Sequence, residues 1–181
     1  MEEKEFIKVL DRCSLGDRKA QEHLYRSFYG YAMSIALRYS CSREMAEEIV
    51  NDSFLKVFTK LESHQSDKSF KAWLRKIVIN TAIDHNRRNI KTLDTIELRE
   101  PLHEMPETEN CFPKAEEIIA LLHKLSPMYR MVFNLYIMED YSHEEIAQQL
   151  NISVNTSRAN LSRAKERIVE LVKKYQAYAE S

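Results

Sequence analysis

The sequence predicts an all-α protein of two small helical domains, an N-terminal helical bundle and a C-terminal helix-turn-helix domain, joined by an acidic, Pro-containing linker. Three observations carry this prediction. Only two glycines, Gly16 and Gly30, and four prolines occur in 181 residues, too few turn formers for the regular punctuation of antiparallel strands. Apolar residues recur instead at helical spacing along most of the chain. Residues 93–112 interrupt that period with prolines and acidic side chains, which divides the chain into 1–92 and 113–181.

Phe6, Val9, Leu10 and Cys13 recur at helical intervals before Gly16 and define a first amphipathic helix. Asp17 is placed to cap the next, which carries Leu24, Phe28, Tyr31, Ile35 and Tyr39 inward. These aromatics read as core. A third helix starts after Ser42, with Glu44, Glu47 and Glu48 near the positive end of the helix dipole. Ile49, Ser53, Val57 and Leu61 are expected to face inward, yet Val50, Phe54, Leu55 and Phe58 lie beside the polar residues Glu48, Asn51, Asp52 and Lys56. Apolar residues on more than one side suggest a second packing surface, covered either by a further helix of the chain or by a partner.

After the polar stretch 62–69, the segment FKAWLRKIVINTAIDHNRRNIK sets Phe70, Trp73 or Leu74, Ile77 and Thr81 in one stripe. Arg75, Lys76, Arg87, Arg88 and Lys91 make the segment basic, and Trp73 adds a stacking surface. Basic residues interleaved with an aromatic suit single-stranded DNA, whose bases stack and whose phosphates need neutralising. A solvated charged face accounts for the same residues.

The linker follows, and as a flexible coil of ~20 residues it has an r.m.s. span of about 25 Å. From Pro113 the period resumes with Ile118, Ile119, Leu122 and Leu125. Ser126 and Pro127 form a cap and first-turn pair, and Met128, Val132, Leu135 and Tyr136 are expected to point inward from the helix they open. Ser142 and Glu145 then make a capping box. Ile146, Ala147 and Leu150 form one face of a short helix that ends at Asn151. A second helix begins near Val154 with Leu161, Ala164, Ile168 and Leu171 inward and Arg158, Arg163, Lys165 and Arg167 largely elsewhere. Its first turn, Asn155 to Arg158, carries four consecutive hydrogen-bonding side chains. Two helices joined by a tight turn, the second basic, form the helix-turn-helix pattern of DNA readers, although plain helical packing also produces it.

The formal net charge is −1, which argues against an indiscriminate nucleic-acid binder; the distribution is more informative than the sum. Residues 71–91 hold six basic side chains against Asp84, and residues 154–175 hold six against Glu166 and Glu170. Between them, residues 93–113 hold six acidic side chains against Arg99. Cys13, Cys41 and Cys111 are far apart, without the spacing of a zinc site or a disulfide framework. No Gly-rich loop or triad-like cluster supports an enzyme built on Cys13, Cys41 or a His-carboxylate site. No apolar run approaches the ~20 residues of a membrane span, so no membrane insertion is expected and a cytoplasmic location is inferred.

Residues 46–58 (AEEIVNDSFLKVF), 70–88 (FKAWLRKIVINTAIDHNRR) and 125–168 (from LSPMYR to AKERI) occur in this order in one chain. In this combination the chain closely resembles an extracytoplasmic-function sigma factor of bacterial RNA polymerase. The resemblance covers both domains and the linker. It implies that Glu48, Ile49, Asn51 and Asp52, with Leu55 and Lys56 beside them, grip polymerase core. It implies that Trp73, Lys76, Asn80, Asp84, Arg87 and Arg88, with the variable loop residues His64, Gln65, Ser66, Asp67 and Lys68, recognise and melt the minus-ten element. Asn155, Thr156, Ser157, Arg158, Asn160, Arg163 and Lys165 would read the minus-thirty-five element as duplex. The chain departs from the family's frequent residues at Asn151, Asn155, Ser157 and Asn160. Asparagine tolerates the turn, so these departures bear on base preference; Asn155, Ser157 and Asn160 are expected to retune it.

The implied role is a dissociable initiation subunit without chemistry, cofactor or metal of its own. Its partners would be polymerase core, promoter DNA both duplex and single-stranded, and an anti-sigma factor. A stand-alone helix-turn-helix regulator is the alternative, and it leaves residues 46–88 unexplained.

Overall fold

A computed structural model describes residues 3–61, 69–93 and 114–179. Among them are eight helices and no strand: α1 Glu3–Ser14, α2 Arg18–Tyr39, α3 Arg43–Lys60, α4 Phe70–Leu93, α5 Lys114–His123, α6 Pro127–Ile137, α7 His143–Leu150 and α8 Val154–Ala179. The chain divides into two compact units, Met1–His85 and Asn86–Ser181. The division falls within α4, whose helix continues to Leu93, beside the limit of 92 expected from the sequence. Most of the expected linker, and with it Cys111, lies outside the described residues.

In the first unit, α2 packs against both α1 and α3. Gly16 takes a positive φ of 79° between α1 and α2, a conformation glycine adopts without steric cost. Asp17 caps α2 by accepting hydrogen bonds from the backbone N–H groups of Lys19 and Ala20, while Arg12 pairs with its carboxylate at 2.6 Å. The guanidinium and the capping bonds hold the Asp17 carboxyl below its usual range. The core runs through Leu24, Ile35, Ala36 and Tyr39 of α2, Ala46, Ile49, Val50 and Val57 of α3, and Leu74, Val78 and Ile83 of α4. Cys13 is buried among these helices, and desolvation pushes its thiol up to about 11, which keeps it a packing residue at neutral pH.

In the second unit, α8 packs against α5, α6 and α7. Leu122, Leu125 and Ala164 form a buried cluster flanked by Tyr129, Phe133 and Ile168. Val132, Leu135, Ile146 and Leu161 extend the core. The local signals match this arrangement. Ser126 caps α6 with Pro127 in its first turn, and both halves of the Ser142–Glu145 capping box are present. Asn151 closes α7 in the left-handed conformation, φ 54° and ψ 48°. One expectation is corrected: Tyr136, expected inward, is 36% exposed, because Val132 and Leu135 already occupy the buried side of the short helix α6.

Replacing Ser142 by Ala should cost about 1 kcal/mol, read as faster amide exchange across α7 than in the parent chain. The Glu145 carboxyl is held below its usual range by the backbone and side-chain bonds of Ser142. Its contribution is therefore present above the ordinary carboxylate range and lost as pH falls through the depressed value. Amide exchange across α7 should become less sensitive to acid in Glu145→Gln.

Candidate functional site

Two surfaces carry the expected functional residues, one in each unit. The first is built on α3. Ser42 caps this helix, and Met45, Ala46, Ile49, Val50, Ser53, Phe54 and Val57 are its buried residues. The hydroxyl of Ser53, itself buried, donates to the Ile49 carbonyl at 2.6 Å, so the core side of α3 leaves no hydroxyl unsatisfied there.

This packing decides between the two readings of α3. Val50 and Phe54 do not form an outward apolar surface, because the chain covers them; Phe54 stands 4.7 Å from the Tyr25 ring of α2. Ile49, expected among the contacts to polymerase core, has no exposed surface. The outward residues of α3 include the strip Glu48, Asn51, Asp52, Leu55 and Lys56, in which Leu55 is 64% exposed.

Three members of the strip are tied to neighbouring helices. Tyr25 donates its phenolic hydrogen bond to Asn51 Oδ1 at 3.0 Å, and burial pushes the phenol's pKa up, which keeps that donor protonated. Asp52 Oδ2 meets His85 Nε2 at 2.8 Å, and Lys56 Nζ meets Asp84 Oδ2 at 3.1 Å. Asp84 was expected to face DNA and Lys56 polymerase. In the structure they face each other, and His85 carries no local signal of its role, because the register between α3 and α4 decides these partners. The Asp84 and Asp52 side chains are each 44% exposed, so neither pair is sealed from water.

On α4, Leu74 rather than Trp73 occupies the core, at no exposure. Trp73 is half-buried and lies 5.7 Å from Phe70, whose ring also contacts Phe28 and Phe6. Lys76 and Arg88 are exposed, and Asn80 and Arg87 are half-buried. The loop residues His64, Gln65, Ser66, Asp67 and Lys68 lie outside the described residues.

The second surface is the α7–turn–α8 motif. The Asn151 turn leads to Ser153, whose hydroxyl accepts from the Thr156 backbone N–H at 3.0 Å and lies 2.8 Å from the Thr156 hydroxyl. Asn155, Thr156, Arg158, Arg163 and Lys165 are exposed, and Arg158 pairs loosely with Glu144 at 3.6 Å. Ser157 and Asn160, expected among the base readers, are 0% and 6% exposed. Their positions precede Leu161, Ala164 and Ile168 by helical intervals, so they continue the buried stripe of α8. Polarity in the first turn masked that periodic signal. Ser157 bonds instead to His143 Nδ1 at 3.0 Å, a partner the sequence reading missed. Among the described residues no cluster of three or more His, Cys, Asp or Glu could hold a metal ion, and no helix is long and apolar enough to cross a membrane.

Comparison with known proteins adds an independent line. The Sigma-70 region 2 family matches residues 24–92 and the Sigma-70, region 4 family matches residues 115–168. The chain is 28% identical over 173 residues to the ECF RNA polymerase sigma-E factor of Haemophilus influenzae, covering 88% of this chain and 91% of that protein. It is equally similar to the protein of the same description from Escherichia coli K12, 28% identical over 173 residues with 88% and 90% covered. Among solved structures, the sigma factor RpoE crystallised with the anti-sigma factor NepR from Bartonella quintana shares the fold, with a TM-score of 0.51, 22% identity, and 84% of this chain and 96% of that chain covered.

Because the Lys56–Asp84 pair is solvated, Asp84→Asn should lower stability by no more than ~1 kcal/mol in urea unfolding of the full chain. A loss several times larger would mean that the pair is sealed on folding.

Proposed function

The chain belongs to the extracytoplasmic-function sigma factors of bacterial RNA polymerase, and from that premise we propose how its residues divide the work. The observation that carries the reading is that region 2 and region 4 families match one chain in order, at 24–92 and 115–168. In this reading residues 1–92 dock on polymerase core and open the minus-ten element, residues 93–112 tether, and residues 113–181 read the minus-thirty-five element as duplex. Two separate readers need a common body to fix the spacing between them. Polymerase core supplies the rigid body that spaces them.

The strip on α3 supports a docking role for Glu48, Asn51, Asp52, Leu55 and Lys56. It combines an exposed Leu55 with polar groups whose present partners are only partly desolvated, so exchanging those partners for groups on polymerase is inexpensive. Ile49 contributes by holding the strip in register. On α4, half-buried Trp73, whose ring packs against Phe70, is the surface for base stacking. Lys76, Asn80, Arg87 and Arg88 extend that surface toward phosphate and base contacts, with loop residues 64–68 as further readers. Asp84 enters through its hold on Lys56. On α8, Asn155, Thr156 and Arg158 are the base readers, and Arg163 and Lys165 serve phosphates.

No step of bond chemistry falls to the chain itself in this reading, and no cofactor is assigned. The protein works in the cytoplasm with polymerase. An anti-sigma factor is the proposed restraint, by analogy with the Bartonella protein crystallised with NepR. A stand-alone regulator would leave residues 24–92 without work.

Run-off transcription with core enzyme and a promoter library tests the reading. Addition of the chain should produce promoter-specific transcripts, and tight operator binding without polymerase would favour the regulator. The double variant Asn51→Ala, Asp52→Ala should lose co-purification with core while keeping its helical circular dichroism. Retention of core binding would refute the docking assignment. Trp73→Ala should cost less than the ~3–5 kcal/mol of a fully buried aromatic and should show a promoter-opening defect that a pre-melted template rescues.

A further inference from the structure

His143 sits at the first residue of α7 and is half-buried. Three features converge on it. Its Nδ1 stands 3.0 Å from Ser157 Oγ, the hydroxyl donating to the imidazole nitrogen or accepting from its N–H. Its ring stacks on Tyr136 of α6, with centroids 4.6 Å apart and planes at 26°. Lys165 of α8 places its ammonium 5.9 Å from the same Tyr136 ring. The imidazole therefore links the ends of α6 and α7 to the first turn of α8.

Ser157 has no exposed surface, while Asn155, Thr156 and Arg158 around it are exposed. Successive side chains are about 100° apart around a helix. Holding Ser157 against His143 therefore fixes the rotation at which its exposed neighbours leave the helix. Bidentate readout of a base edge tolerates little error, because its hydrogen bonds weaken steeply away from their preferred length and angle. Contacts to phosphate are less demanding, being largely electrostatic.

We propose that His143 is a positioning residue for base readout, which it serves by anchoring buried Ser157 and so setting the rotation of the first turn of α8. The inference rests on the proposed role of α8 at the upstream element. It separates two properties that a simple loss of folding would damage together. Sequence discrimination should depend on the His143–Ser157 bond, whereas the salt dependence of DNA engagement should not.

The test uses the full chain bound to core polymerase, transcribing a library with a randomised upstream duplex segment, and reads base preference from the transcripts. In the parent chain a bidentate contact discriminates by about 5- to 150-fold at its base pair. His143→Ala and Ser157→Ala should each reduce that ratio by about 3- to 10-fold, the double variant should be no worse than either, and the salt slope should stay unchanged. His143→Asn keeps a hydrogen-bonding atom at the place of Nδ1 and should restore discrimination. His143→Phe keeps the stack on Tyr136 without the bond and should not. Rescue by Phe and not by Asn would overturn the proposal in favour of ring packing, as would unchanged discrimination in Ser157→Ala. Loss of transcription in proportion across all sequences would overturn it in favour of a general structural role. Absence of any upstream preference in the parent chain would overturn the assigned role of α8 as well.

Discussion

Burial of one side of α3 and one side of α8 fixes which side chains each helix can offer to anything else. Ile49, Ser53 and Val57 take the inner side of α3, and Ser157, Leu161 and Ala164 take the inner side of α8. A helix has one circumference to divide between core and partner. Every apolar residue committed to the core narrows what remains, and in α3 the outer share is largely polar, with Leu55 an exposed apolar exception. The consequence for function is geometric. A partner that leaves the fold intact can engage each helix only along its outward residues.

The outer strips are not bare. Asn51, Asp52 and Lys56 meet Tyr25, His85 and Asp84, and Arg158 meets Glu144. All of these contacts keep access to water, so each is weak compared with the apolar packing behind it. Strong, dry packing inward and weak, wet pairing outward is an arrangement in which a polar partner can displace the intrachain contacts without disturbing the fold. In the proposed docking the same side chains serve both the free subunit and the assembled enzyme.

Local chemistry sets the ends of the helices with little help from glycine. Asp17, Ser42, Ser126 and Ser142 each supply the first-turn oxygen of a helix, and Asn151 supplies the left-handed residue between α7 and α8. Asp140 takes a positive φ of 56° before α7, a conformation that short polar side chains tolerate better than most. Capping of this kind places the turn of the DNA-reading motif to within a residue. It does not set the angle at which α8 rolls, which depends on groups distant in sequence such as Tyr136 and His143.

The sequence by itself determined the all-α class, the capped helix starts, the left-handed Asn151 and the family to which the two matched segments point. These are properties of short windows, where periodicity, turn chemistry and spacing act through neighbouring residues. Only the tertiary structure decided that Val50 and Phe54 are covered, that Tyr136 is at the surface, and that Ser157 and Asn160 are interior. A polar residue in an apolar stripe reads as exposed until a partner for it is found, and the partner of Ser157 lies on another helix. The same reason hid the pairing of His85 with Asp52 and of Asp84 with Lys56: pairing across helices depends on their register and roll, which no local pattern encodes.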